Sequence, residues 1–128
     1  MTKLLVVDDE KYLRTLYHSE LTQEGYDVVL APDGLEALRM LDEEKPDLVL
    51  LDIRMPGTDG LETMARMLAK DNRLPVILNT AFSAYRDSFL SWSADAYVIK
   101  SSDLNELKAK IRQVLASRTE GEGRPNAG

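Results

Sequence analysis

Five short apolar runs recur along the chain, each continuous rather than alternating with polar residues. They are Leu4-Leu5-Val6-Val7, Val28-Val29-Leu30, Leu48-Val49-Leu50-Leu51, Val76-Ile77-Leu78 and Tyr97-Val98-Ile99. A strand that is apolar on both faces has to be covered on both, which is the environment of a parallel sheet between helices. Segments with a helical period separate the runs. Leu13, Leu16, Tyr17 and Leu21 form one stripe, and Gly25 stops that helix. Leu35, Leu38 and Leu41 mark a second helix, which Pro46 closes off. Leu61, Met64 and Leu68 mark a third, after the turn-forming stretch from Met55 to Gly60. Tyr85, Phe89 and Trp92 mark a fourth, and Leu104, Leu107, Ile111 and Leu115 a fifth. Asp103 and Glu106 have the spacing of a capping box for the fifth.

Strict strand–helix alternation predicts an α/β fold with right-handed crossovers and helices on both faces of the sheet. At this length the five-stranded parallel order 2-1-3-4-5 fits, a flavodoxin-like (βα)5 three-layer sandwich. The 128 residues suffice for one domain, which should bury roughly two-thirds of its unfolded surface. That domain is placed at residues 1–118. From Ser117 the composition turns to Glu, Gly, Arg, Pro and Asn, so 119–128 is expected to be a disordered tail.

Charge narrows the partners. Sixteen basic residues against 22 acidic ones give a net charge of −6, and the basic residues are scattered. That argues against direct binding to nucleic acid, which needs a cationic stripe. There is no cysteine, so disulfides, thiolate catalysis and cysteine-ligated metals are excluded. With no signal-peptide pattern at the start and no apolar run of membrane-spanning length, a soluble cytoplasmic protein without membrane contact is the expectation. The single histidine, His18, lies off the apolar stripe of its helix and reads as solvated.

Ligands bind open parallel sheets at the carboxyl ends of the strands, near the reversal of strand order. The first strand ends in Asp8-Asp9-Glu10, the third in Asp52, the fourth in Asn79-Thr80 and the fifth in Lys100. In the order 2-1-3-4-5 these ends are neighbours, so carboxylates, a hydroxyl and an ammonium converge. Oxygen donors without His or Cys suit a hard cation such as Mg²⁺. Asp52 can then act as a nucleophile toward phosphorus, with the metal and Lys100 offsetting phosphoryl charge and Thr80 donating a hydrogen bond. Each residue also has an ordinary role: Asp8 or Asp9 as a helix cap, Asp52 as a turn residue, Lys100 as a solvated cation. What argues for a site is their coincidence at four strand ends.

This pattern resembles the receiver domains of two-component signalling, chemotaxis-regulator-like. The matching residues are Val7-Asp8-Asp9-Glu10, Leu51-Asp52-Ile53-Arg54-Met55-Pro56-Gly57-Thr58-Asp59-Gly60, Thr80-Ala81 and the run from Ala94 to Lys100. The resemblance implies that Asp52 accepts a phosphoryl group from a sensor histidine kinase or phosphotransfer protein. It also implies that Asp9, Asp52 and the backbone carbonyl of Arg54 hold Mg²⁺, with Asp8 acting through metal-bound water. Thr80 and Tyr97 are similar to the family's switch pair, which biases the surface of the fourth helix, fifth strand and fifth helix toward a downstream protein or a homodimer. Two departures stand out. Ser101 follows Lys100 where the family usually has proline, and a cis bond before serine costs about 3 kcal/mol over trans. A trans bond or a rebuilt loop is therefore expected. Ser93 stands where a glycine commonly precedes Ala94.

Several residues carry two readings. Tyr85, Phe89 and Trp92 fit a core stripe or a partner patch, Tyr97 a buried strand aromatic or a switch, and Arg54 a surface arginine or a modulator of phosphate lifetime. Among functions, a stand-alone phosphorylated binding module stands against a phosphorylation-independent scaffold, whose cause would be Ser101. A dehalogenase-style phosphatase wants an acid where Arg54 stands. A flavin carrier wants a hydroxyl-rich loop where Asp8-Asp9-Glu10 would repel the anion.

Overall fold

In the computed structural model, residues 1–55, 58–81 and 93–122 are described. The elements run β1 (Lys3–Val7), α1 (Lys11–Gln23), β2 (Asp27–Ala31), α2 (Gly34–Glu44), β3 (Leu48–Leu51), β4 (Arg54–Met55), β5 (Thr58–Asp59), α3 (Gly60–Lys70), β6 (Val76–Thr80), β7 (Ala96–Ile99) and α4 (Asn105–Glu122). The five long strands form one parallel sheet in the order β2-β1-β3-β6-β7. This is the expected 2-1-3-4-5 arrangement. β4 and β5 form a separate two-residue antiparallel ladder, Arg54 opposite Asp59.

Alternation along β1 divides the core. Leu4 and Val6 point to the face covered by Tyr17 and Leu21 of α1 and Leu107 and Ile111 of α4. Leu5 and Val7 point to the other face, with Ala37 of α2 and Met64 and Met67 of α3. β1, β3 and β6 are buried almost throughout, as continuous apolar runs require. The outer strands differ: β2 and β7 are only partly buried, because each has a neighbour on one side alone.

Other local expectations are corrected. Leu35 is 68% exposed and lies off the buried stripe of α2, which runs instead through Gly34, Ala37, Leu38 and Leu41. α2 is capped by Asp33, whose carboxylate accepts from the N–H of Glu36 at 2.8 Å. The Asp103 carboxylate accepts from the N–H of Asn105, two residues on, which is an Asx turn at the entry to α4. α4 runs to Glu122, into the stretch expected to be a tail. The fourth helical segment, with Tyr85, Phe89 and Trp92, and residues 123–128 lie outside the described residues.

Candidate functional site

Backbone pairing carries the acidic residues to one edge. The N–H of Asp8 donates to the Ala31 carbonyl and that of Asp52 to the Val7 carbonyl, both at 3.1 Å. These bonds extend the ladders one step past the ends of β1 and β3, so Asp8 and Asp52 emerge side by side. Lys100 is fixed in the same way, its N–H donating to the Thr80 carbonyl at 2.7 Å. The peptide after it is trans, since no cis bond occurs among the described residues.

The side chains close the site. Lys100 Nζ lies 2.7 Å from Asp8 Oδ2 and 2.9 Å from Asp52 Oδ2. Asp8, Asp9 and Asp52 each offer a carboxylate oxygen within 4.8 Å of the others. Asp8 and Asp52 are buried, and Asp9 is exposed at the mouth. Asp8 is no helix cap: its Oδ1 accepts from the N–H of Glu10, and no side chain caps α1. Three carboxylates against one ammonium leave a local excess of negative charge, and every donor is an oxygen. That donor set fits a hard divalent cation. Burial on its own would lower the Lys100 ammonium, but its hydrogen bonds to Asp8 and Asp52 outweigh burial and hold it above the ordinary lysine range.

The remaining site residues are placed as follows. Thr80 ends β6 and is fully buried. Tyr97 lies in β7 beside Leu78, half-buried against the core cluster of Leu5 and Leu51. Arg54 lies in β4, two residues past Asp52. His18 is exposed.

Three features escaped the sequence reading. Arg14 Nη1 donates to the Asp8 carbonyl at 2.7 Å and ties α1 to the acidic loop. Nothing in the sequence separates Arg14 from a solvated arginine. Gly60 is packed so closely under the site that a Cβ there would run into the Asp52 carbonyl oxygen and the Ile53 backbone. Its N–H donates to the Ile53 carbonyl at 2.7 Å, which turns the chain back beneath Asp52. Asn79, read only as a polar strand end, is buried and donates from Nδ2 to the Tyr17 hydroxyl at 3.0 Å.

A five-stranded parallel sheet in this order, with an acidic pocket at its carboxyl edge, defines a CheY-like α/β domain. The chain belongs to the response regulator receiver domain family of two-component signalling, whose family model matches residues 4–112. Among curated relatives, a probable transcriptional regulator, ycf27 of Guillardia theta, is 43% identical over 115 residues, covering 88% of this chain and 45% of that protein. The chain spans about half the length of the curated relatives it matches. Among solved structures, TrrA of Thermotoga maritima in complex with Mg²⁺-BeF is 45% identical, with a TM-score of 0.86, covering 89% of this chain and 99% of that one. The complex of the histidine kinase ThkA with TrrA gives 45% identity and a TM-score of 0.85, covering 90% and 99%. Among the described residues, no helix is long and apolar enough to cross a membrane.

Proposed function

We propose that this domain accepts a phosphoryl group on Asp52 from a sensor histidine kinase or phosphotransfer protein, and that the modification switches a protein-binding surface. The observation that carries the reading is Lys100 Nζ held between the buried carboxylates of Asp8 and Asp52. An Asp52 oxygen attacks phosphorus, the bond from phosphorus to the donor nitrogen breaks, and the imidazole leaves with a proton. Lys100 then turns from the Asp52 carboxylate to the phosphoryl oxygens without leaving the pocket. Asp9 and Asp52, with the Arg54 carbonyl, would hold Mg²⁺, and Asp8 would act through its water. Bound there, the ion offsets the charge of the incoming phosphoryl group. Support comes from TrrA, which was solved with Mg²⁺-BeF and, separately, in complex with the histidine kinase ThkA.

The Thr80 hydroxyl donates to a phosphoryl oxygen, and Tyr97 follows it inward. Together they bias the surface formed by the segment before β7, β7 itself and α4 toward a downstream protein or a second copy. The scaffold alternative required Ser101 to disable the site, and the position of Lys100 favours a working one. Incubation with acetyl phosphate and Mg²⁺ followed by intact mass measurement tests the reading. One phosphoryl adduct is expected, absent from Asp52→Asn and absent in EDTA. An adduct that survives Asp52→Asn would overturn it.

A further inference from the structure

A cavity of about 330 Å³ opens on the other side of Lys100, between α1, the ends of β6 and β7, and the first turn of α4. Its floor is the hydrogen-bonded pair of Tyr17 and Asn79, 2% and 4% exposed. Its walls include Val98, Leu104 and Leu107, and Asp103 and Glu106 stand at its exposed rim. The short loop of Ser101 and Ser102 carries no bulky apolar side chain to fill it.

The floor is incompletely satisfied. The pair makes one internal hydrogen bond, from Asn79 Nδ2 to the Tyr17 hydroxyl. Among the described residues the Tyr17 O–H then has no acceptor and Asn79 Oδ1 no donor, although both side chains line the cavity. Turning the amide over still leaves a donor and an acceptor in excess. Buried polar groups are rarely left so. The volume far exceeds that of one water, about 30 Å³. A ligand that answers both needs has an acceptor beside a donor at one end and a flat apolar body at the other. The acidic rim disfavours an anion, and Lys100 is already committed to Asp8 and Asp52.

We propose that this cavity, which shares Lys100 with the phosphoacceptor pocket, is a second binding site for a small neutral aromatic carboxamide. Its carbonyl accepts from the Tyr17 O–H, its amide N–H donates to Asn79 Oδ1, and its ring packs on Val98, Leu104 and Leu107. The test titrates benzamide, with benzoate as the anionic control, into the ¹⁵N-labelled full chain. Saturable shifts of the Asn79 side-chain amide and of residues 98–107 are expected with benzamide, at least about ten-fold weaker with benzoate. The apolar pair Tyr17→Phe with Asn79→Leu keeps the shape of the core and should weaken binding by about ten-fold or more. Leu107→Phe, which fills the volume and keeps the polar pair, should abolish it. Unmoved Asn79 resonances, equal affinity for benzoate, or full binding by the filled or apolar variants would each overturn the proposal.

Discussion

The two ends of β1 carry nearly the same set of charges in different surroundings. At the amino end, Lys3 Nζ lies 3.0 Å from Glu44 and 3.9 Å from Asp27, while the Lys3 N–H donates to Asp47. At the carboxyl end, Lys100 sits between Asp8 and Asp52 with Asp9 nearby. The side chains of Lys3, Glu44 and Asp27 are 27% to 48% exposed, whereas Lys100, Asp52 and Asp8 are 13%, 7% and 2% exposed. Both lysines are held above their ordinary range, for different reasons. For Lys3 the hydrogen bond to Glu44 dominates. For Lys100 burial is the largest influence and acts downward, so the two carboxylates prevail over a real desolvation cost. One lysine among acids is an exposed cluster at one end and a buried one at the other. The difference is burial, which the sheet imposes by running its central strands into the pocket.

The largest expected effect compares the two lysines directly. Lys100→Met leaves Asp8 and Asp52 buried without their cation and should destabilise the domain by about 3 kcal/mol in urea unfolding at neutral pH. Lys3→Met should shift Tm by about 1 °C or less, and 0.5 M NaCl should erase that shift. Equal losses for the two variants would sink the comparison.

The glycines of the two ends sharpen it. Gly25, between α1 and β2, has φ of 97° with open space where a Cβ would sit, so Gly25→Ala strains the backbone alone. That should cost about 1 kcal/mol. Gly60 is constrained by contact with the backbone beneath Asp52 instead. Gly60→Ala should cost about 2–3 kcal/mol and suppress acetyl phosphate labelling, because the loop behind Asp52 has to shift. Full labelling of Gly60→Ala would show that the carboxyl end tolerates movement as the amino end does.

A smaller effect comes from cations. Because of the acidic excess at the carboxyl end, Mg²⁺ at ten times its dissociation constant should stabilise the domain by about 1.4 kcal/mol. Asp9→Asn should lose that gain and Asp47→Asn keep it, as read by thermal unfolding with and without Mg²⁺. A gain that survives Asp9→Asn would place the cation elsewhere.

The same contrast explains what the sequence made legible. Central strands announce themselves because burial on both faces demands unbroken apolar runs, the alternation of strands and helices makes the sheet parallel, and the chain length selects the strand order among the doubly wound ones. Asp8, Asp52 and Lys100 were readable because each is the first polar residue after such a run. Leu35 misled because a leucine near a helix start fits the apolar period whether or not the core reaches it. The Asp33 cap was legible, an Asp three residues before Glu36, and went unread. Arg14 and Asn79 were not legible: their roles depend on which backbone carbonyl or hydroxyl a different element brings within reach. The extent of α4 beyond Ser117 was hidden for a related reason, since a polar stretch reads alike as tail or as exposed helix.

The smallest effect separates buried from exposed groups by pH. Burial pushes the Tyr17 hydroxyl up, against an opposing hydrogen bond from Asn79, and Lys100 is also raised. Both groups hold their protons to higher pH in the folded chain than in the unfolded one. Their contributions are therefore complete below the unfolded values, about 10 for tyrosine and 10.4 for lysine, and decline as pH rises through the folded ones. Urea midpoints should fall from about pH 9.5 upward, and Tyr17→Phe should flatten the fall by removing one of the protons involved. Lys3 is raised as well, but its partners are exposed, so its share should disappear in 0.5 M NaCl while that of Tyr17 persists. An alkaline limb that runs parallel in wild type and Tyr17→Phe would mean the hydroxyl is hydrated in the fold, and the contrast between the two ends of β1 would then not extend to the residues behind Lys100.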